Sequence, residues 1–239
     1  MILEIMFPEF CTMYADSING RYLEKSVKDI KVIRSKNTDK PYFADNDVDF
    51  IYIGAMPEIR QKLAIEKLRP YLDRIRELAE KGKVILATGS AMDIFGQYIQ
   101  TNEERIEGLG LFDFHVEQDL DHRRNSMFVG EFENEKIVGY QATFSKIVSH
   151  GEKAMNSVVT GHGNHNDETH EGFRRNNMMV TSLVGPLLVM NPYLTRYLLK
   201  QLGEDDSLAY EDDVIESYYY RLKQLTTEGA HVDFNNHGV

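Results

Sequence analysis

The chain has 239 residues, with 27 Lys and Arg against 38 Asp and Glu, a formal charge of −11, 42% hydrophobic and 27% charged residues. That balance fits a folded α/β protein with a sizeable core and excludes a disordered or collagen-like chain. The acidic excess argues against a nucleic-acid partner, whose phosphates need clustered Lys and Arg. No apolar run approaches the roughly 18 residues of a membrane span. The opening MILEIMFPEF has neither the basic segment nor the cleavage site of a secretion signal, and the lone cysteine, Cys11, permits no internal disulfide and fits a reducing cytoplasm.

Runs of β-branched and aromatic residues alternate with helical patterns, which predicts a parallel or mixed sheet covered by helices. The first strand is expected at Ile2–Phe7. Asp49–Ile53 (DFIYI) and Lys83–Ala87 (KVILA) read as buried central strands. Between them, Leu68, Leu72, Ile75 and Ala79 make one apolar stripe. Pro70 lacks an N–H and so opens a second helix, which Gly82 ends. Thr88-Gly89-Ser90-Ala91 is a strand-to-helix turn in which Ser90 and Asp93 have capping-box spacing. Short strands follow, including Met127–Glu133 and Lys136–Ala142, and Asn177–Val184 reads as one more core strand. Asn191-Pro192 starts a helix closed by Gly203. The acidic run 204–206 is a linker to a last helix over Leu208–Leu225, and the tail GAHVDFNNHGV is expected to fray. The division is therefore residues 1–203 as one domain, with 204–239 as linker, helix and tail packed on it.

A sharp turn from strand to helix is the geometry of a nucleophile elbow. At this turn Ser90 is the hydroxyl available, although N-capping explains it more simply. The loop GHGNHNDETH (161–170) brings His162, His165 and His170 together with Asp167 and Glu168, a set able to ligate a divalent metal but without a standard zinc spacing. Cys11 is a candidate thiol or a small buried hydrophobe. His115, His122, His150, His231 and His237 show no partner in the sequence.

Four segments in collinear order resemble the class I glutamine amidotransferases, in the branch of cobyric acid synthase and the glutaminase subunit of lipid II isoglutaminyl synthase. MFPEFCTMYADSINGRYL resembles "P-x-x-x-N-x-Y-G-D-x-G-N", with Tyr14, Asp16 and Asn19 in place. DVDFIYIGAMPEIRQ resembles the "D-x-x-x-x-G-G-G-x-x-x-x-Q" strand and oxyanion loop. IEGLGLFDFHVE (106–117) resembles "G-L-G-L-L-D". GHGNHNDETHEGFRRNNMMVTSLVGPLLVMNPYL resembles "G-x-G-N-N-…-E-G-…-T-Y-L-H-G-P-L-L-x-x-N-P". The match spans residues 1–203. It implies a flavodoxin-like three-layer α/β fold, a central mostly parallel sheet flanked by helices.

In that family an elbow Cys attacks the glutamine amide, a His serves as base, and the ammonia goes to a synthetase. The resemblance places the Cys at Gly89, the His at Val184 and the triad acid at Pro186. The oxyanion loop falls on Gly54, Ala55 and Met56, followed by Pro57, which has no N–H. Without that nucleophile and base the thiol route to hydrolysis is closed. The expectation is a degenerate amidotransferase-like protein with its glutaminase activity lost, needing no cofactor, and serving as a binding or regulatory subunit of an ATP-dependent amide ligase. For the lipid II branch that partner is a Mur-ligase-like synthetase. The tyrosines Tyr218, Tyr219 and Tyr220 either serve such an interface or pack within the chain. The competing expectation is an active amidotransferase or hydrolase of the same branch, working through a relocated nucleophile (Cys11 or Ser90) or a metal. A one-residue shift of the elbow does not rescue the usual chemistry, because no second Cys exists.

Overall fold

Strands buried on both faces read as continuous apolar runs, and two such runs anchor the protein: FIYI and VILAT, every residue of which is buried. A computed structural model describes residues 1–166, 168–227 and 230. In chain order the strands are β1 (Ile2–Met6), β2 (Lys31–Ser35), β3 (Phe50–Ile53), β4 (Val84–Thr88), β5 (Tyr98–Gln100), β6 (Arg105–Glu107) and β7 (Phe114–Gln118). The second half adds β8 (Arg124–Phe132), β9 (Glu135–Thr143), β10 (Ser145–Ser149), β11 (Ala154–Thr160), β12 (His170–Arg175), β13 (Met178–Thr181) and β14 (Leu183–Val184). The helices are α1 (Ser17–Ser26), α2 (Gln61–Leu68), α3 (Leu72–Glu80), α4 (Leu187–Met190), α5 (Pro192–Gln201) and α6 (Glu211–Thr226).

Ten strands form the main sheet in the order β14-β9-β8-β11-β12-β13-β4-β3-β1-β2, and β10-β7-β5-β6 form a smaller one. From β13 to β2 every pairing is parallel. From β13 back to β14 every pairing is antiparallel. The expected class I amidotransferase-like, three-layer α/β architecture is present, and its parallel half is the half that carries the elbow. Phe50, Tyr52, Val84 and Leu86 face α1, α4 and α5, whereas Ile51, Ile53, Ile85 and Ala87 face α2, α3 and the smaller sheet. This alternation is the period of two that a strand imposes.

The local signals act as expected at several points. Pro70 sits in a 3-10 turn that separates α2 from α3. Gly82 adopts a positive φ of 76°, donating to Ala79 O while Lys83 N–H donates to Leu78 O, which closes α3 with a Schellman motif. Two expectations need correction. The strand expected over Asn177–Val184 breaks at Ser182, because buried Glu171 accepts from Ser182 N–H and Oγ and from Thr181 Oγ1. The chain then leaves β4's side for β9, so the antiparallel half curls until its two ends are neighbours in sequence. Asn191 does not cap α5; its amide accepts from Val138 N–H at 2.7 Å and donates to Val138 O at 2.7 Å. It thereby extends the protection of β9 beyond short β14.

The last helix α6 lies against β8 and β9, with Tyr218 buried and its hydroxyl donating to Lys136 O at 2.8 Å. Tyr219 reaches Tyr193 and Tyr220 is exposed, so the tyrosine run divides between packing and surface. Most of the tail lies outside the described residues. Among the described residues no helix is long and apolar enough to cross a membrane.

Glu4 shows how β1 is tied to the end of β2 and to the segment that follows it. Fully buried, it accepts from Ser35 Oγ, Tyr42 N–H and Phe43 N–H at 2.5–2.7 Å. Glu4→Ala leaves those donors without an acceptor, so urea unfolding should show a loss of about 2 kcal/mol or more. Glu4→Gln, which keeps one acceptor oxygen, should lose less.

Candidate functional site

Three chain segments meet where β3 and β4 end, and a buried carboxylate joins them. Asp16, at the start of α1, accepts from Ala55 N–H at 2.5 Å and from Thr88 Oγ1 at 2.7 Å. Tyr52 Oη lies 3.0 Å from that Thr88 hydroxyl. Asn19 Nδ2 donates to Asp16, to Tyr52 Oη and to Gly185 O, while its Oδ1 accepts from Leu188 N–H. Gly54 is required here: a Cβ on it would lie 2.9 Å from Asp16 Oδ2 and 3.1 Å from Cys11 Cβ. Tyr14, Asp16 and Asn19 of the opening motif thus sit beside the loop and the elbow they were matched with.

The elbow turn has a left-handed backbone. Gly89, at φ 58°, opens a 3-10 helix running Gly89–Phe95 straight off β4. The space above it is full. A Cβ on Gly89 would lie 2.6 Å from Val184 Cγ1 and 2.7 Å from Ala55 Cβ. Ala55, Ala142 and Val184 form a buried apolar cluster there, with Met13, Tyr14 and Tyr140 packed against it. Val184 reaches this position because curled β14 returns it to the end of β4.

Two of the loop's N–H groups are also occupied. Ala55 N–H serves Asp16, Met56 N–H donates to Ser90 Oγ at 3.1 Å, and Pro57 has no N–H to offer. Ser90 Oγ in turn donates to Met56 O. The expected capping box is therefore absent: no side chain caps this helix, and Ser90 ties the elbow to the Gly54–Met56 loop instead. Asp93 is buried and accepts from Ser145 Oγ at 2.6 Å and Gln61 Nε2 at 2.9 Å, with Gln118 Nε2 at 3.4 Å. Capping logic missed this role because Ser145 and Gln118 are distant in sequence. Cys11 is buried, and burial together with nearby Asp16 pushes its thiol well above the ordinary range, so the thiolate is disfavoured.

The histidine loop stays dispersed. His165 lies 3.7 Å and His170 3.1 Å from Glu168, and His162 Nδ1 is 3.4 Å from Asn166 O. His165 and His170 meet one carboxylate, yet among the described residues no three His, Cys, Asp or Glu side chains are arranged to hold a metal ion, and Asp167 lies outside them. Three histidines without partners in the sequence acquire them in the fold: His115 and His150 share a 2.9 Å ring contact, and His122 pairs with Asp119. His231 and His237 lie outside the described residues.

A doubly wound sheet with an elbow at the end of a central strand defines the class I amidotransferase scaffold. Two solved structures share the fold. A chain of PurLQS from Thermotoga maritima has a TM-score of 0.54 at 16% identity over 92% of this chain and 98% of that one. A crystal structure of glutamine amidotransferase has a TM-score of 0.57 at 14% identity, over 84% and 98%. More narrowly, the chain belongs to the CobB/CobQ-like glutamine amidotransferase domain family, whose profile matches residues 2–190. It is 25% identical over 202 residues to the subunit GatD of lipid II isoglutaminyl synthase (glutamine-hydrolyzing) of Staphylococcus aureus, covering 84% of this chain and 82% of the relative. The corresponding subunit of Streptococcus pneumoniae is 26% identical over 194 residues, covering 74% and 73%.

Gly89→Ala must strain the left-handed turn and displace Val184, so thermal and urea unfolding should show a loss of about 2 kcal/mol or more. Adding Val184→Ala should recover part of it, a coupling that a double-mutant cycle reads. Burial pushes the Asp16 carboxyl up to about 6 and that of Asp93 up to about 7, from 3.8. The folded protein then holds these protons more tightly than the unfolded chain does. Their stabilisation is complete below pH 3.8 and is lost as pH rises through 6 for Asp16 and 7 for Asp93. Asp93→Asn should make the decline in Tm across that window shallower.

Proposed function

We propose that this chain is an amidotransferase-like binding or regulatory subunit of an ATP-dependent amide ligase, and that it has lost glutamine hydrolysis. The observation that carries this reading is the filled elbow: the volume a nucleophile's Cβ needs is held by Ala55 and Val184. A glutamine amide has no room to approach residue 89, and no side chain there to attack it. The engagement of the Ala55 and Met56 N–H groups supports the same reading, because a tetrahedral oxyanion needs free donors aimed at it. Ser90 and Cys11 are poor substitutes, one held by Met56 and the other buried as a thiol. The similarity to subunits of lipid II isoglutaminyl synthase supports a ligase partner, which we take to be a Mur-ligase-like synthetase working in the cytoplasm.

The purified protein should release neither glutamate nor ammonia from glutamine, and Cys11→Ala should behave identically. Turnover abolished by Cys11→Ala would establish a relocated nucleophile, and turnover removed by a chelator would establish metal chemistry; either overturns the reading. Compensating volumes generate a second expectation. Gly89→Cys with Val184→His should remain unreactive towards a glutamine-analogue electrophile, because Ala55 Cβ still fills the thiol's place. Adding Ala55→Gly should restore labelling, measured by mass spectrometry. Equal labelling of the double and triple variants would show that Ala55 does not obstruct the site.

A further inference from the structure

We propose that Arg124 forms the floor of a binding site for a small ligand carrying an oxyanion, a phosphate or carboxylate group, separate from the filled elbow. Arg124 opens β8 and lines a cavity of about 490 Å³. None of the residues that pack over Gly89 lines that cavity.

The guanidinium is poorly served by the protein itself. Among the described residues it donates to neutral oxygens at long range: Asn166 Oδ1 at 3.3 Å, and Gly163 O and Asn164 O at 3.4 Å. Its Nε is buried with no hydrogen-bond partner. Burial disfavours its charge, and the two carboxylates that favour it, Glu171 and Asp93, act across space while engaged with other donors. A guanidinium in that situation is stabilised by a planar or tetrahedral oxyanion that accepts two parallel N–H bonds.

The walls fit the same ligand. The carboxylates on the rim are already matched, Glu117 by Lys146 at 2.8 Å and Asp119 by His122 at 2.8 Å. Among the described residues the cationic charge of Arg124 is therefore the charge of the cavity that has no ion-pair partner. Lys146 and His122 are well exposed, so both can swing towards an incoming anion. Thr143 Oγ1 accepts from Ser145 N–H, which leaves its proton to donate. An apolar ligand would leave these donors unpaired, and a cation would meet Arg124.

The site is tested by thermal unfolding of the full chain with inorganic phosphate and, separately, with succinate, at ionic strength held constant with sodium chloride. A ligand that binds the native state raises Tm progressively with concentration above its Kd. Wild-type Tm should rise with at least one of the two probes, and which probe acts tells phosphate from carboxylate recognition. Arg124→Met should stay folded, since it exchanges a poorly paired buried charge for an apolar chain of similar length, and should weaken binding roughly 10- to 100-fold. Thr143→Val and Lys146→Gln, at the wall and rim, should weaken it less and keep the proposal testable if Arg124→Met does not fold. No rise with either probe overturns the proposal. So does an equal rise in wild type and Arg124→Met, or, should that variant not fold, an equal rise in wild type and both rim variants.

Discussion

The Asp16 carboxylate is the constraint on which the site depends. Burying a charge-capable group is unfavourable unless donors surround it, and here they come from the ends of β3 and β4 and from α1 itself. Each donor fixes a different segment: Ala55 N–H sets the loop after β3, Thr88 sets the last residue before the elbow, and Asn19 carries the link on to Gly185 and Leu188. The approach of Asp16 also explains why residue 54 has no side chain. An opening segment, an elbow and a distant Gly-Pro turn are thus one polar unit, and the unit persists although Gly89 carries no reactive group.

Above that unit the packing is reciprocal. One position has no side chain, Gly89, and two neighbours, Ala55 and Val184, supply methyl groups that fill the same volume. Close-packed interiors tolerate such exchanges when total volume is kept. The polar side is equally settled, since the Ala55 and Met56 donors end on Asp16 and Ser90 rather than pointing into open space.

The antiparallel half carries a different burden. Glu171 and Arg124 are ionisable groups of this half, with Asp93 on the 3-10 helix after β4, and among the described residues the two carboxylates have close partners where Arg124 has distant ones. Curling the sheet until β14 stands beside β9 brings Val184 to the elbow, and the bend at Ser182 that permits it is held by Glu171. Polar groups in this half therefore shape the backbone, while those around Asp16 lock segments already in place.

Much of this was legible in order along the chain. Continuous apolar runs announce β3 and β4, Pro70 and Gly82 bound the helices between them, and four spaced segments point to the family. These features are local: they follow from backbone conformation, side-chain periodicity and missing N–H groups, which neighbours in sequence suffice to specify. Ser90 and Asn191 show where local reading fails, because each fits a cap by spacing yet bonds a residue more than 30 positions away. The same holds for the filled elbow. The resemblance places Gly89 and Val184 at the family's Cys and His positions, but that Val184 and Ala55 occupy one shared volume depends on a sheet that curls. The long, neutral contacts of Arg124 among the described residues are likewise invisible in composition, since charge balance is decided by which groups lie within a few ångströms, and only tertiary packing sets those distances.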